Sequence, residues 1–138
     1  MPAAGYSGTP LARKLGIAPG HVLLIDGAPP AFAVPDLPAG LTRQGAPDPA
    51  VPFDVALWFP ADRAELTGRL AELRAAMRPA AGLWIAWPKK ASRIPTDLTE
   101  DVLREVALPT GLVDNKVCAV DAVYSGLRLV VRRELRPR

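Results

Sequence analysis

Two kinds of hydrophobic pattern alternate along the chain. Short apolar runs stand at His21–Asp26, Phe53–Phe59 and Leu83–Trp87, with further ones at Leu112–Val120 and Leu127–Arg133. Runs of this length, bounded by Gly or Pro, predict strands, and the unbroken Leu83–Trp87 predicts one buried on both faces. Leu41–Gln44 is a shorter strand candidate. Between these runs the period lengthens. Leu66, Leu70, Leu73 and Met77 recur at helical spacing, with Arg63, Glu65, Arg69, Glu72 and Arg74 mostly elsewhere, which predicts an amphipathic helix of about four turns. Asp62 with Glu65 fits a capping box at its start, and Pro79 and Gly82 close it. Asp97 with Glu100 repeats the capping pattern. Leu98, Val102 and Val106 mark the buried face of a second helix that Gly111 stops.

Strands alternating with helices predict a mainly parallel sheet covered on both faces. The last two strands differ. Asp121–Gly126 holds a loop but no crossover helix, so these strands are expected to pair antiparallel. The fold class is therefore α/β: a three-layer, Rossmann-like, mostly parallel sheet with a carboxyl-terminal antiparallel pair. At 138 residues it is one domain, with residues 1–20 as an arm packing on it.

Composition narrows the function classes. Hydrophobic residues make up 49%, as in a globular chain. Eleven of the sixteen prolines lie in the first 60 residues, so that half must be rich in loops, and Pro29–Pro38 can hold at most a short helical piece. A net charge of +3 is too small to imply nucleic acid, although five of the seventeen Lys/Arg fall between Arg128 and Arg138. The single Cys118 excludes an internal disulfide and a cysteine-based zinc site, and no metal is expected. No apolar run approaches the length of a membrane span, and Met1–Gly20 lacks the apolar region of a signal peptide, so a cytoplasmic location is expected.

Two resemblances follow from particular blocks. Leu15-Gly-Ile-Ala-Pro-Gly-His-Val-Leu-Leu-Ile-Asp26 is similar to the lead-in and first strand of the class I methyltransferases that use S-adenosylmethionine (SAM). Phe53-Asp-Val-Ala-Leu57 and Met77-Arg-Pro-Ala-Ala-Gly-Leu-Trp-Ile85 resemble later strands of that fold, here in a shortened form. A second likeness spans nearly the whole chain. It is carried by Gly5-Tyr-Ser-Gly-Thr-Pro-Leu-Ala-Arg-Lys-Leu-Gly16, Trp87-Pro-Lys-Lys90, Asp97-Leu-Thr-Glu100, Gly111-Leu-Val-Asp-Asn-Lys-Val-Cys-Ala-Val-Asp121 and Tyr124-Ser-Gly-Leu127. These blocks resemble the bacterial domain of unknown function 3052 family, with Tyr124 where that pattern has Trp. This likeness implies no particular activity.

The methyltransferase likeness implies a glycine-rich cofactor loop after the first strand. The chain has Asp26-Gly-Ala-Pro-Pro30 instead, where two prolines remove amide hydrogens. The strand ending at Arg43-Gln44 brings no carboxylate for a ribose, and Trp58-Phe-Pro60 is not the signature of amino-directed enzymes. On these grounds no cofactor is expected, SAM included. The dinucleotide fingerprint fails in the same way.

The remaining chemistry clusters where a parallel sheet places its ligands, outside the carboxyl ends of its strands. Lys89, Lys90 and Arg93 follow the Leu83–Trp87 run, with Ser92 as a hydroxyl donor, and a helix amino end comes next. Asp26 ends the first run. Tyr-Ser-Gly occurs twice, at 6–8 and 124–126, as a turn-prone tripeptide. The candidate ligand-binding residues are therefore Ser7, Gly8, Thr9, Asp26, Lys89, Lys90, Ser92, Arg93, Tyr124 and Ser125, forming one edge. No catalytic residue is assigned: His21 begins a strand and Cys118 sits among apolar neighbours. The leading expectation is a non-catalytic binding or regulatory module for an anionic small molecule or a protein partner. A divergent SAM-dependent or other transferase is one alternative and a nucleic-acid-binding protein a second, the latter disfavoured because Trp84 and Trp87 point to opposite faces of a strand and belong to the core. Self-association through an outer strand into a homodimer stays open.

Overall fold

The computed structural model describes residues 9–136. Strands β1 (Val22–Asp26), β2 (Thr42–Gln44), β3 (Phe53–Trp58), β4 (Met77–Pro88), β5 (Leu112–Ala119) and β6 (Tyr124–Val131) form one sheet in the order β2-β1-β3-β4-β6-β5. The first four are mutually parallel. β6 runs antiparallel to both β4 and β5. The architecture is the Rossmann-like α/β sheet with a closing antiparallel pair that the pattern predicts.

Alternation along each strand divides the core in two. One face carries Val22, Leu24, Ala56, Trp58, Leu83, Ile85, Trp87, Leu127 and Leu129, and packs against helices α2 (Arg63–Ala75) and α3 (Glu100–Ala107). The other carries Leu23, Val55, Leu57, Trp84 and Ala86 under helix α1 (Leu11–Leu15) and the 28–41 connection. Trp84 and Trp87 thus lie on opposite faces, both buried. The 28–41 connection forms no helix, as its prolines demand, so the outer layer on that side is mostly coil.

In α2, Leu66, Leu70 and Leu73 are almost wholly buried, each contributing roughly 1.5–3 kcal/mol. Its start is a reciprocal cap: Asp62 Oδ1 accepts from the Glu65 amide and Glu65 Oε1 accepts from the Ala61 amide, each at 2.8 Å. Three expectations need correction. Met77 does not continue α2. It opens β4, whose first residues bulge so that the partners of Phe53 and Val55 are Met77 and Gly82, and the bulge is what admits Pro79. Asp97 does not cap α3. Its carboxylate accepts from the Arg63 amide at 2.8 Å, and Thr99 caps α3 by accepting from Val102. The buried face of α3 is Leu103 and Ala107, with Val102 and Val106 at its margin. No helix among the described residues is long and apolar enough to cross a membrane.

Candidate functional site

The carboxyl ends of β1, β3 and β4 come to one edge, because Asp26 pairs with Trp58, Trp58 with Ile85 and Pro88 with Tyr124. The chain order reverses between β1 and β3, which makes their ends the switch point where open sheets hold ligands. Here the gap is closed by protein. The Phe59 amide donates to the Asp26 carbonyl at 2.9 Å. Gly27 turns left-handed at φ 78°, and a Cβ there would lie 2.8 Å from the Phe59 carbonyl oxygen. The Asp26 carboxylate is engaged from below, accepting from Arg69 Nη2 at 2.8 Å. Arg69 also donates to Glu72 at 3.0 Å, and its guanidinium carbon stands 5.6 Å from the centre of the Trp58 ring. The bond to Asp26, ahead of the one to Glu72, raises the Arg69 pKa further above its already high ordinary value. Trp58 is fully buried, and its Nε1 has no hydrogen-bond partner among the described residues.

Beside this closed gap lies an open cleft. Phe59 is flanked edge-on by Phe32, at 5.0 Å between ring centres, and by Tyr124, at 5.1 Å. Phe32 and Tyr124 line a concavity of about 340 Å³ with Pro29, Ala31, Asp121 and Val123. Ala31, Phe32 and Asp121 also border a second concavity of about 420 Å³, reaching Thr9, Lys14, Asp36 and Ala119. Sequence order explains the assembly: the proline-rich β1–β2 connection supplies one wall, the β5–β6 turn the other, and the start of α1 the end. Asp121 Oδ1 shapes its turn by accepting from the Val123 and Tyr124 amides at 2.8 and 2.7 Å. Lys14 Nζ donates to the Ala119 carbonyl at 3.1 Å. The cleft therefore combines aromatic surface, two carboxylates and an ammonium group.

A third concavity, of about 560 Å³, opens at the end of β4 between Trp87, Pro88 and the start of α3, and Lys89, Lys90 and Arg93 border it.

The predicted site residues divide among these places. Ser7 and Gly8, with the first Tyr-Ser-Gly tripeptide, lie outside the described residues. Thr9 and Tyr124 border the cleft. Lys89, Lys90 and Arg93 border the third concavity, where Ser92 fixes the turn by donating to the Lys89 carbonyl at 2.6 Å. Asp26 faces Arg69, and Ser125 pairs with Trp87 inside the sheet. Tyr124-Ser-Gly126 is strand rather than turn, because its backbone pairs with β4 and β5 on both sides. The patterns missed Phe32, Asp36 and Asp121, which sit in segments without periodicity. The proline density of 29–38 was their one signal, since a rigid loop must cover something.

No family model matches the chain, and no curated protein matches it in sequence. Solved structures do match it in fold. A SAM-dependent methyltransferase from Aquifex aeolicus superposes with a TM-score of 0.62 at 14% identity, over 88% of each chain. The CcbJ methyltransferase from Streptomyces caelestis gives 0.57 at 10% identity, over 88% of this chain and 86% of its own. Magnesium protoporphyrin IX methyltransferase (ChlM) from Synechocystis PCC 6803, with bound SAM, gives 0.53 at 12% identity, over 88% and 74%. These likenesses establish the methyltransferase-like fold. The domain 3052 likeness finds no support from a matching family.

The expectation of no cofactor, SAM included, is corrected by the same comparison. A protein of this fold was crystallised with SAM bound. Absence of the glycine-rich loop excludes only one way of holding SAM, through loop amides, and leaves side-chain recognition open.

Proposed function

We propose that this chain is a divergent SAM-binding protein of the methyltransferase fold, working as a transferase, with the cofactor taken in the cleft between Phe32, Asp36 and the Asp121–Tyr124 turn. The observation that carries the reading is the convergence of two aromatic rings, two carboxylates and a lysine at the carboxyl edge of a sheet of this fold. The residues fit the group's chemistry. Phe32 and Tyr124 offer ring surface to an adenine or to a sulfonium cation. Asp36 and Asp121 can accept from ribose hydroxyls or an ammonium, and Lys14 suits a carboxylate. When bound, SAM would supply an electrophilic methyl group. The chain's part is to orient the cofactor and to exclude water from the Phe32–Phe59–Tyr124 side.

Calorimetric titration tests this. SAM and S-adenosylhomocysteine (SAH) are expected to bind saturably, and Tyr124→Leu and Asp36→Asn to weaken binding by about tenfold each, the loss of one good contact. Asn is chosen because Asp36 has φ 58°, which Asn tolerates. No heat with either ligand at millimolar concentration would overturn the proposal.

A further inference from the structure

The concavity at the end of β4 has a chemistry of its own. Trp87, Pro88, Ile94, Pro95 and Leu98 line it with apolar surface. Ile94 is 44% exposed and leaves apolar surface open to the space. Lys89, Lys90 and Arg93 border it, and their side chains make no hydrogen bond or ion pair with any described residue. The one carboxylate bordering the space, Glu100, is already held by Arg104. The cations are presented on a fixed turn. The Lys89 amide donates to the Val123 carbonyl at 2.7 Å, Ser92 Oγ accepts from the Ile94 amide at 3.2 Å, and Arg93 adopts φ 61°.

We propose that this groove binds a small aryl carboxylate, with its ring against the Pro88–Ile94–Leu98 walls and its carboxylate at Lys89, Lys90 and Arg93. Charge complementarity selects an anion, because three cations border the space and the one carboxylate bordering it, Glu100, is paired with Arg104. The apolar walls select against a bare inorganic anion, which would leave them wet. A volume of about 560 Å³ lies in the range of small-molecule sites and limits the occupant to that size. The site is lined by residues separate from the cleft, and its occupancy does not rest on SAM binding.

The test is an amide NMR titration of the full chain, without SAM, using 2-naphthoate, its neutral analogue 2-naphthamide, and inorganic phosphate. Naphthoate should bind saturably and shift amides within 89–100, while the amide and phosphate each bind at least about tenfold more weakly. Lys89→Ala/Lys90→Ala and, separately, Arg93→Ala should lose about tenfold in naphthoate affinity, while Arg43→Ala on the far edge strand should not. The analogue series uses the native chain, so it decides the matter even if a variant folds poorly. Equal binding of naphthamide or phosphate, shifts confined to other residues, or no saturation at millimolar naphthoate would each overturn the proposal.

Discussion

The indole N–H of Trp84 donates to the main-chain carbonyl of Leu15 at 3.0 Å, joining the middle of β4 to the end of α1. A helix of five residues cannot hold itself together, and its last carbonyls need partners. The indole supplies one, and the left-handed turn at Gly16 lets the Gly16 amide donate to the Arg13 carbonyl and the Ile17 amide to the Ala12 carbonyl, each at 3.0 Å. Trp84→Phe removes the donor together with part of the buried ring system. It should cost about 2–4 kcal/mol, hydrogen bond and cavity together, and speed hydrogen exchange in residues 11–16 more than in α2. Uniform exchange changes across the chain would show that the bond has no local role.

The glycine at the β1 end has a sharper requirement than the one at the end of α1. Both have positive φ, but a Cβ at Gly16 meets nothing within 4 Å, whereas at Gly27 it meets the Phe59 carbonyl oxygen. Gly16→Ala should cost about 1 kcal/mol, for backbone strain alone. Gly27→Ala should cost clearly more, about 2–4 kcal/mol, because the Asp26–Phe59 junction must also shift. Urea midpoints of the two variants settle the order.

Asp26 and Arg69 form the part-buried ion pair under the switch point, with Asp26 the more buried partner. Removing Arg69 leaves the Asp26 carboxylate unpaired, so Arg69→Ala should destabilise by about 1–3 kcal/mol, whereas Asp26→Asn should cost less because Arg69 keeps its bond to Glu72. A double-mutant cycle should give a favourable coupling between them. Zero coupling would mean that Arg69 acts through Glu72 and its contact with the Trp58 ring rather than through Asp26.

Burial pushes the Cys118 thiol above its ordinary pKa, against the opposing pull of Lys14 and Lys116. The folded state then holds that proton to higher pH than the unfolded chain does. The associated stability is present below the ordinary thiol value, near 8.5, and is lost as pH rises toward the raised folded value. Cys118→Ala should therefore flatten the alkaline decline in stability, seen as a smaller difference in urea midpoint between neutral and alkaline pH. An unchanged decline would assign it to other groups.

The strands were legible because burial on both faces leaves unbroken apolar runs, as at Leu83–Trp87, and α2 because its leucines repeat on one side. The boundaries that failed did so where two local signals competed. Asp97 and Thr99 are both good caps, and only the packing of α2 beside α3 draws Asp97 to the Arg63 amide. Pro79 and Gly82 read as punctuation, yet a bulge carries β4 through them. The cationic turn was legible from charge following an apolar run. The cleft was legible only at Thr9 and Tyr124, since Phe32 and Asp36 on one connection and Asp121 on another share no period, and only the fold brings them together. The missing glycine loop misled most, because it reports on loop amides and says nothing of side chains across the edge.

The central claim is that this edge holds SAM, and the most direct measurement is an amide NMR titration with SAH. The account predicts saturable shifts centred on Phe32, Asp36 and Asp121–Tyr124, with the 89–100 groove little changed. No saturable shift at millimolar SAH, or shifts centred away from those residues, would contradict it.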